Sequence, residues 1–369
     1  MLLFLLLVAL SLFIVRVLEP AGAPSQEDLP EGLEWIMSIY GSGPSLEEQF
    51  VGPNHTAIAP DGTIWVTDTS SARVMAFAPD GTPRRVIRMP ADQADMMISP
   101  AGIAVGEDGS VYVAAFGSDL VLVFASDGEM LRAFHVTLPK EVDVRDDRVA
   151  VTTPDGVVLL TTDGEEIARF GARGAGAEQT DSAQGVVIGP DGTIYVADTL
   201  NSQVKAFDSS GNLLWATEKG FSNVPGRAIE ATGEPVFEVP SGMTMDGNGR
   251  LVLVDPFAFQ IVVLDPAREG AVVGRYGEFG GDDGYFAYPT GISYDPDRDW
   301  FAVADTANAR VQVVRIPGSG GDAMAAVRRS VPFPLWVCSA PLILLLIALI
   351  IAASGRRRRR EEEHQESLA

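Results

Sequence analysis

The sequence holds one cysteine, Cys338, and three histidines in 369 residues. A lone cysteine rules out an intrachain disulfide. A folded domain here must be held by its core and its hydrogen-bond ladders, which is feasible at this length. Basic residues are scarce too: 27 Lys and Arg stand against 50 Asp and Glu, a formal charge of -23. Nucleic-acid binding needs clustered cations on a folded surface. The only dense basic run, Arg356 to Arg360, follows an apolar span at the C-terminal end, so nucleic acid is not an expected partner. The chain between Leu33 and Pro317 shows no helical apolar period. No glycine-rich loop joins a strand to a helix, which removes the usual phosphate cradle. Gly-x-Ser-x-Gly is absent, and Gly41-Ser42-Gly43 reads as a turn.

Long apolar runs are confined to the two ends. Residues 335–354 are almost wholly apolar and carry no charge, and about 20 such residues cross a hydrocarbon core. Pro341 within them is tolerable in a membrane helix. Five arginines follow at once. By the positive-inside rule the tail 355–369 is cytoplasmic and the preceding chain is outside. Residues 1–23 are an apolar segment that reads as a cleaved signal peptide or a retained anchor: Ala21-Gly22-Ala23 resembles a cleavage site, but a basic n-region is missing and Pro24 follows. Both readings leave the middle outside, on a cell-membrane protein of one or two passes. Residues 24–32 read as a tether and 318–334 as a linker.

The middle repeats. An apolar residue, Pro-x-Gly, an apolar strand, Asp-Gly, a β-rich strand ending in Asp, a polar turn, a further strand and a second glycine turn recur. The copies start at Pro53, Pro100, Pro139, Gly185, Pro240 and Pro289, spaced by about 40 to 57 residues, the range of four-stranded propeller blades. Asp-Gly between apolar runs is a strong hairpin signal, because the turn needs positive φ. The third copy is degenerate, with Thr153 in place of the strand-ending Asp, and Ala115 departs in the second. The sixth copy lacks its outermost strand, and an orphan alternating run, Glu34 to Tyr40, lies upstream of the first. These features predict an all-β, six-bladed propeller over 33–317, closed by residues 34–40 pairing with 311–316. Closure removes an exposed edge.

Val196-Ala197-Asp198 with Asn201, and Ala304-Asp305 with Asn308 and Arg310-Val311, resemble NHL repeats, as does the run from Gly277 through Phe286-Ala287-Tyr288-Pro289-Thr290-Gly291-Ile292. The resemblance spans Phe50 to Pro317 and implies an NHL-type propeller. It says little of function, since propellers host enzymes, sensors and scaffolds alike. Among relatives, the amidating lyase holds zinc with histidines from several blades. Here His364 falls in the tail, leaving His55 and His135, too few for a three-histidine catalytic zinc. The lactonase type uses Glu, Asn and Asp on a calcium-like ion, at positions not matched here.

Four acids end equivalent strands: Asp68, Asp198, Asp255 and Asp305. Each belongs to a different blade, so the expected ring is too wide to share an ion. Their expected role is structural, bonding nearby backbone at a turn. Another position stands out. Where Gly102, Gly185, Gly242 and Gly291 occupy the Pro-x-Gly glycine, the first blade has His55 and the third Glu141. Both are expected at the channel mouth, as a ligand or weak metal site or as two satisfied polar residues on a wet wall, and the second reading is favoured because a metal needs more converging ligands. Arg84, Arg85 and Arg88 read as a solvated outer strand. Two long loops, 171–181 and 219–234 with Phe221, are further candidates for recognition. The expected function is a membrane-anchored binding, scaffold or sensor module for a protein or glycan outside the cell, with no cofactor or metal. The alternative is a metal-dependent hydrolase or lyase at the channel mouth.

Overall fold

A computed structural model of the protein describes residues 32–90, 98–219 and 236–320. The expected terminal segments and Phe221 lie outside the described residues. Among the described residues, no helix is long and apolar enough to cross a membrane.

Strand β1 is Glu34–Ile39. The first blade follows as β2 (Pro53–Ile58), β3 (Ile64–Asp68), β4 (Arg73–Phe77) and β5 (Pro83–Arg88). The second is β6 (Ser99–Val105), β7 (Val111–Phe116), β8 (Leu120–Phe124) and β9 (Met130–His135). The third is β10 (Val142–Arg145), β11 (Arg148–Thr153), β12 (Gly156–Thr161) and β13 (Glu166–Phe170). The fourth is β14 (Gly185–Ile188), β15 (Ile194–Asp198), β16 (Gln203–Phe207) and β17 (Leu213–Ala216). The fifth is β18 (Met243–Met245), β19 (Leu251–Asp255), β20 (Gln260–Asp265) and β21 (Ala271–Tyr276). The sixth takes β22 (Pro289–Asp295), β23 (Trp300–Asp305) and β24 (Arg310–Arg315) from the C-terminal side and β1 from the N-terminal side. The sequence-predicted closure is present: Glu34 lies opposite Arg315 and Ile39 opposite Val311, with a bulge between Trp35 and Met37. The innermost strands touch one another in cyclic order, β22 meeting β2, so the six sheets form a ring.

Packing explains why the middle strands read as unbroken apolar runs. β3, β4, β15, β16 and β19 are buried at every position, because each sheet is covered on both faces by its neighbours. The apolar core is accordingly divided into clusters that each join two successive blades. One links Trp65 and Val74 to Val113 and Leu122, and another closes the ring by joining Val311 and Val313 to Phe50 and Phe77. The outermost strands are the least buried, β5 with exposed Arg84, Arg85 and Arg88 most of all.

Since strands alternate in direction, the ring has two unlike faces. One carries the turns from innermost to second strand and from third to outermost strand; it is the turn face. Each of these turns holds an aspartate. Asp61, Asp80, Asp108, Asp127, Asp191, Asp208, Asp246, Asp265 and Asp295 each accept the backbone N–H two residues on, at 2.8–3.0 Å. The acidity of this face is thus a by-product of turn chemistry. The other, the loop face, carries the lead-in loops before each innermost strand and the turns after each second strand.

Candidate functional site

The strand-ending aspartates are wholly buried on the loop-face side. The turn that follows supplies only part of their bonding: Asn201 donates to Asp198, Asn308 to Asp305 and Ala258 N–H to Asp255, and the rest comes from far upstream. Asp68 accepts N–H bonds from Val51 and Gly52, and Asp255 from Glu238 and Val239, each 16 or 17 residues upstream. Three of the four also hold a buried cation whose other hydrogens reach loop carbonyls. Arg73 pairs with Asp68 at 2.8 Å and donates to Glu47 and Gln49; Arg310 pairs with Asp305 at 2.8 Å and donates to Asp282 and Tyr285. In the fourth blade the cation is Lys205, 2.9 Å from Asp198, reaching Gly176 and Gln179. It comes from the third residue of its strand rather than the first, since both project to the same face of the sheet. Burial pushes Asp198 up and Lys205 down, each opposed by the partner's charge. These acids therefore pin the lead-in loops.

The ring of Pro-x-Gly positions lies where the innermost strands converge. A Cβ at Gly102 would stand 2.6 Å from Glu141 Cα, and one at Gly291 2.6 Å from His55 Cα. Backbone contact with the next blade thus demands glycine at these positions, and only at His55 and Glu141 does a side chain project. Both are held by equivalent bonds: His55 N–H donates to Thr67 Oγ1 at 2.9 Å and Glu141 N–H to Thr152 Oγ1 at 3.1 Å. The two side chains meet across the channel, skipping the second blade, with His55 Nδ1 2.7 Å from Glu141 Oε2. They are 7 % and 5 % exposed.

Below the pair lies a cavity of about 490 Å³ walled by Ile103, Val142, Val187, Met243, Met245 and Ile292, with Thr56, Asp143, Arg145 and Thr244 among them. None of the loops beyond His55 and Glu141 lines it. It runs toward the turn face, where a second hollow of about 480 Å³ shares Ile58, Val105, Arg145 and Pro296 with it and adds Glu107 and Asp297. His55 and Glu141 thus end the channel on the loop-face side, away from the open mouth. Along the wall, Asp143 accepts from Ile188 N–H at 2.7 Å and Arg145 Nε donates to Ile188 C=O at 2.7 Å, tying the third blade to the fourth. Burial pushes the Asp143 carboxyl up to about 6, against the pull of the Ile188 N–H and of Arg145. Sequence reasoning missed Asp143; its signal was an acid in an innermost strand where the other copies carry Ala57, Ala104, Val187, Thr244 and Ser293.

Among the described residues no three His, Cys, Asp or Glu side chains are placed to share a metal ion. His135 is exposed at the end of β9, on the rim. The donors present do not fit the histidine-held zinc of the amidating lyase.

Two families match the chain. The SMP-30/Gluconolactonase/LRE-like region matches residues 37–143, and the NHL repeat matches residues 180–207, within the fourth blade. The NHL match and the six-bladed ring together support an NHL-repeat β-propeller. Among curated relatives of this NHL propeller, the adipocyte plasma membrane-associated protein of Rattus norvegicus is 25% identical over 206 residues, 49% of this chain and 50% of that protein. The peptidyl-glycine alpha-amidating monooxygenase A of Xenopus laevis is 32% identical over 88 residues, 23% of this chain and 9% of that protein. The chain thus spans half or less of the length of these relatives. Among solved structures, a structural genomics protein of unknown function from Bacteroides thetaiotaomicron superposes with TM-score 0.60 at 17% identity, covering 77% of this chain and 76% of that one. Virginiamycin B lyase from Staphylococcus aureus gives 0.52 at 12%, covering 77% and 99%. At these identities the likeness is one of fold.

Proposed function

We propose that this NHL propeller is a membrane-anchored, extracytoplasmic binding module that presents its loop face to a protein partner. The observation that carries the reading is the division of exposed apolar side chains. Among the described residues, Tyr40, Leu46, Val51, Phe116, Leu138, Phe257, Phe279 and Tyr288 are exposed on the loop face. The other exposed large apolar residues lie on outermost strands, and the turn face has none. Aromatic side chains of this kind are enriched at protein interfaces. Phe257 and Tyr288 meet edge to face at 5.5 Å and Phe259 and Phe279 at 4.8 Å. Their ring faces are partly turned to one another, which suits a protein knob better than a stacked sugar. The loops beneath are pinned by the Asp–cation pairs, a rigid platform for recognition.

The loop face also carries Lys140, which donates to Ser182, and Arg173, 3.7 Å from Asp181. The first and last strands of the ring, at Glu34 and Arg315, start and end at the turn face. Anchoring rests on residues 335–354 and the five arginines after them.

The test is photo-crosslinking in native membranes from a probe at Phe279, with a probe at Asp127 on the turn face as reference. A discrete adduct from Phe279 alone is expected. Adducts from Asp127 alone, or none from either, would overturn the loop-face reading. Protease protection of the C-terminal tail in intact cells tests the orientation.

A further inference from the structure

We propose that the channel binds an α-amino acid with an apolar side chain, its carboxylate against Arg145 and its ammonium group against Asp143. This site is separate from the loop-face partner and stands without it. Asp143 and Arg145 are two residues apart on β10, so they project to the same face of the sheet, and both line the channel. One bond each ties them to Ile188: Asp143 Oδ2 accepts its N–H and Arg145 Nε donates to its C=O, both at 2.7 Å. Neither group is used up there. Besides Ile188, Asp143 has only the adjacent Val144 N–H as a donor, where a carboxylate can accept about four bonds. Both Nη groups of Arg145 lack a protein acceptor among the described residues. The two charges form no ion pair with each other, and Arg145 acts on Asp143 through space. A negative and a positive group, held side by side and unpaired, complement a zwitterion.

Ligands of one sign fit less well. Among the described residues that wall the two hollows, Arg145 is the one arginine or lysine. A lone anion bound to it would also meet Asp143, Glu107 and Asp297, and a lone cation at Asp143 would be opposed by Arg145. An α-amino acid carries both charges on one carbon. Its carboxylate suits the two-pronged guanidinium, and its side chain is left for the apolar wall of Ile103, Val187, Met243 and Ile292. The volume of about 490 Å³ lies within the range of small-molecule pockets, roughly 300–1,000 Å³. Asp143 is also held at a cost, since burial pushes its carboxyl up to about 6. A perturbed acid in a cleft marks a binding site more often than a surface acid does, and a bound ammonium group would offset the penalty of its charge. His55 and Glu141 are paired with each other at 2.7 Å and close the far end, so Asp143 and Arg145 are the charges a ligand entering from the turn face meets.

The experiment uses the full-length chain in detergent at neutral pH. Isothermal titration compares leucine and phenylalanine, each with its decarboxylated amine and its deaminated acid. We expect one of the two amino acids to saturate a single site. Its amine and its acid should each bind about tenfold more weakly or worse, the loss of one charge-assisted bond. Asp143→Asn and Arg145→Gln should each lower amino-acid affinity by about tenfold or more for the same reason, with thermal unfolding as the check that each variant is folded. Thr244→Phe, which narrows the cavity from the fifth blade, should weaken binding even if a charge variant alters the fold. Asp127→Asn, on the turn between β8 and β9, should leave affinity unchanged. No binding by either amino acid, an amine or acid that binds as tightly as its amino acid, or full affinity in either folded charge variant would each overturn the proposal.

Discussion

The two faces of this propeller are made from the same strands by opposite means. On the turn face, one device of five residues is repeated around the ring: an aspartate accepts an N–H two residues on, and a glycine takes the left-handed conformation, as at Gly62, Gly109 and Gly192. On the loop face, the lead-in segment of four of the six blades is held by an aspartate 16 to 18 residues away and, in three of them, by a buried cation. The difference teaches that the charge of the molecule is set by local turn chemistry, whereas its apolar display depends on long-range anchoring. Solvated carboxylates on tight turns are individually dispensable; buried ones are not.

The sharpest way to break this comparison is Arg310→Ala. It leaves Asp305 buried without its cation and frees the loop carbonyl of Asp282, while Tyr285 C=O keeps its bond from Gln312. Removing one member of a buried pair costs about 3–5 kcal/mol, so the urea midpoint should fall steeply. A loss under about 1 kcal/mol would mean that the cradle does not hold the loop face. Next comes Gly291→Ala. Its Cβ would lie 2.6 Å from His55 Cα and 2.7 Å from Asn54 C=O, and overpacking of this kind costs about 1–3 kcal/mol. Gly249→Asn, on the turn face, has open space and a φ of +75° that asparagine tolerates; thermal unfolding should barely move.

Asp143 tests the channel between the faces. Its folded pKa is raised from 3.8 to about 6, so the unfolded chain releases this proton first as pH rises. Stability is therefore unaffected below about pH 4, falls through the window between 4 and 6, and carries the full penalty above it. Asp143→Asn keeps an acceptor for the Ile188 N–H and should add about 3 kcal/mol at pH 8 and nothing at pH 4. Equal gains at both values would remove the ionisation argument. The smallest effect belongs to Asp127→Ala, an exposed turn acid whose loss should cost at most about 1 kcal/mol.

Much of the fold was legible. Asp-Gly hairpins state their own geometry, and Glu34 to Tyr40 stood out as a strand with no blade of its own, so its pairing with β24 followed from counting. The strand-ending aspartates were visible as a repeated position, but their distant partners were not, because a bond across 17 residues leaves no periodic mark. His55 and Glu141 were visible as departures from a repeated glycine. Their contact was not, since the second blade separates them in sequence and only ring geometry brings the first blade opposite the third. Asp143 escaped notice altogether, its charge being perturbed by burial that no spacing reveals.

By itself the sequence determined the blades, their hairpins, the acidic turns and the strand that closes the ring. These depend on residues within a few positions of one another, or on a repeat that averages over copies. The tertiary structure alone decided which loops gather the exposed aromatics, where each buried cation finds its carbonyls, and that a histidine and a glutamate 86 positions apart end one channel together. Radial closure makes neighbours of residues whose separation along the chain carries no trace of it.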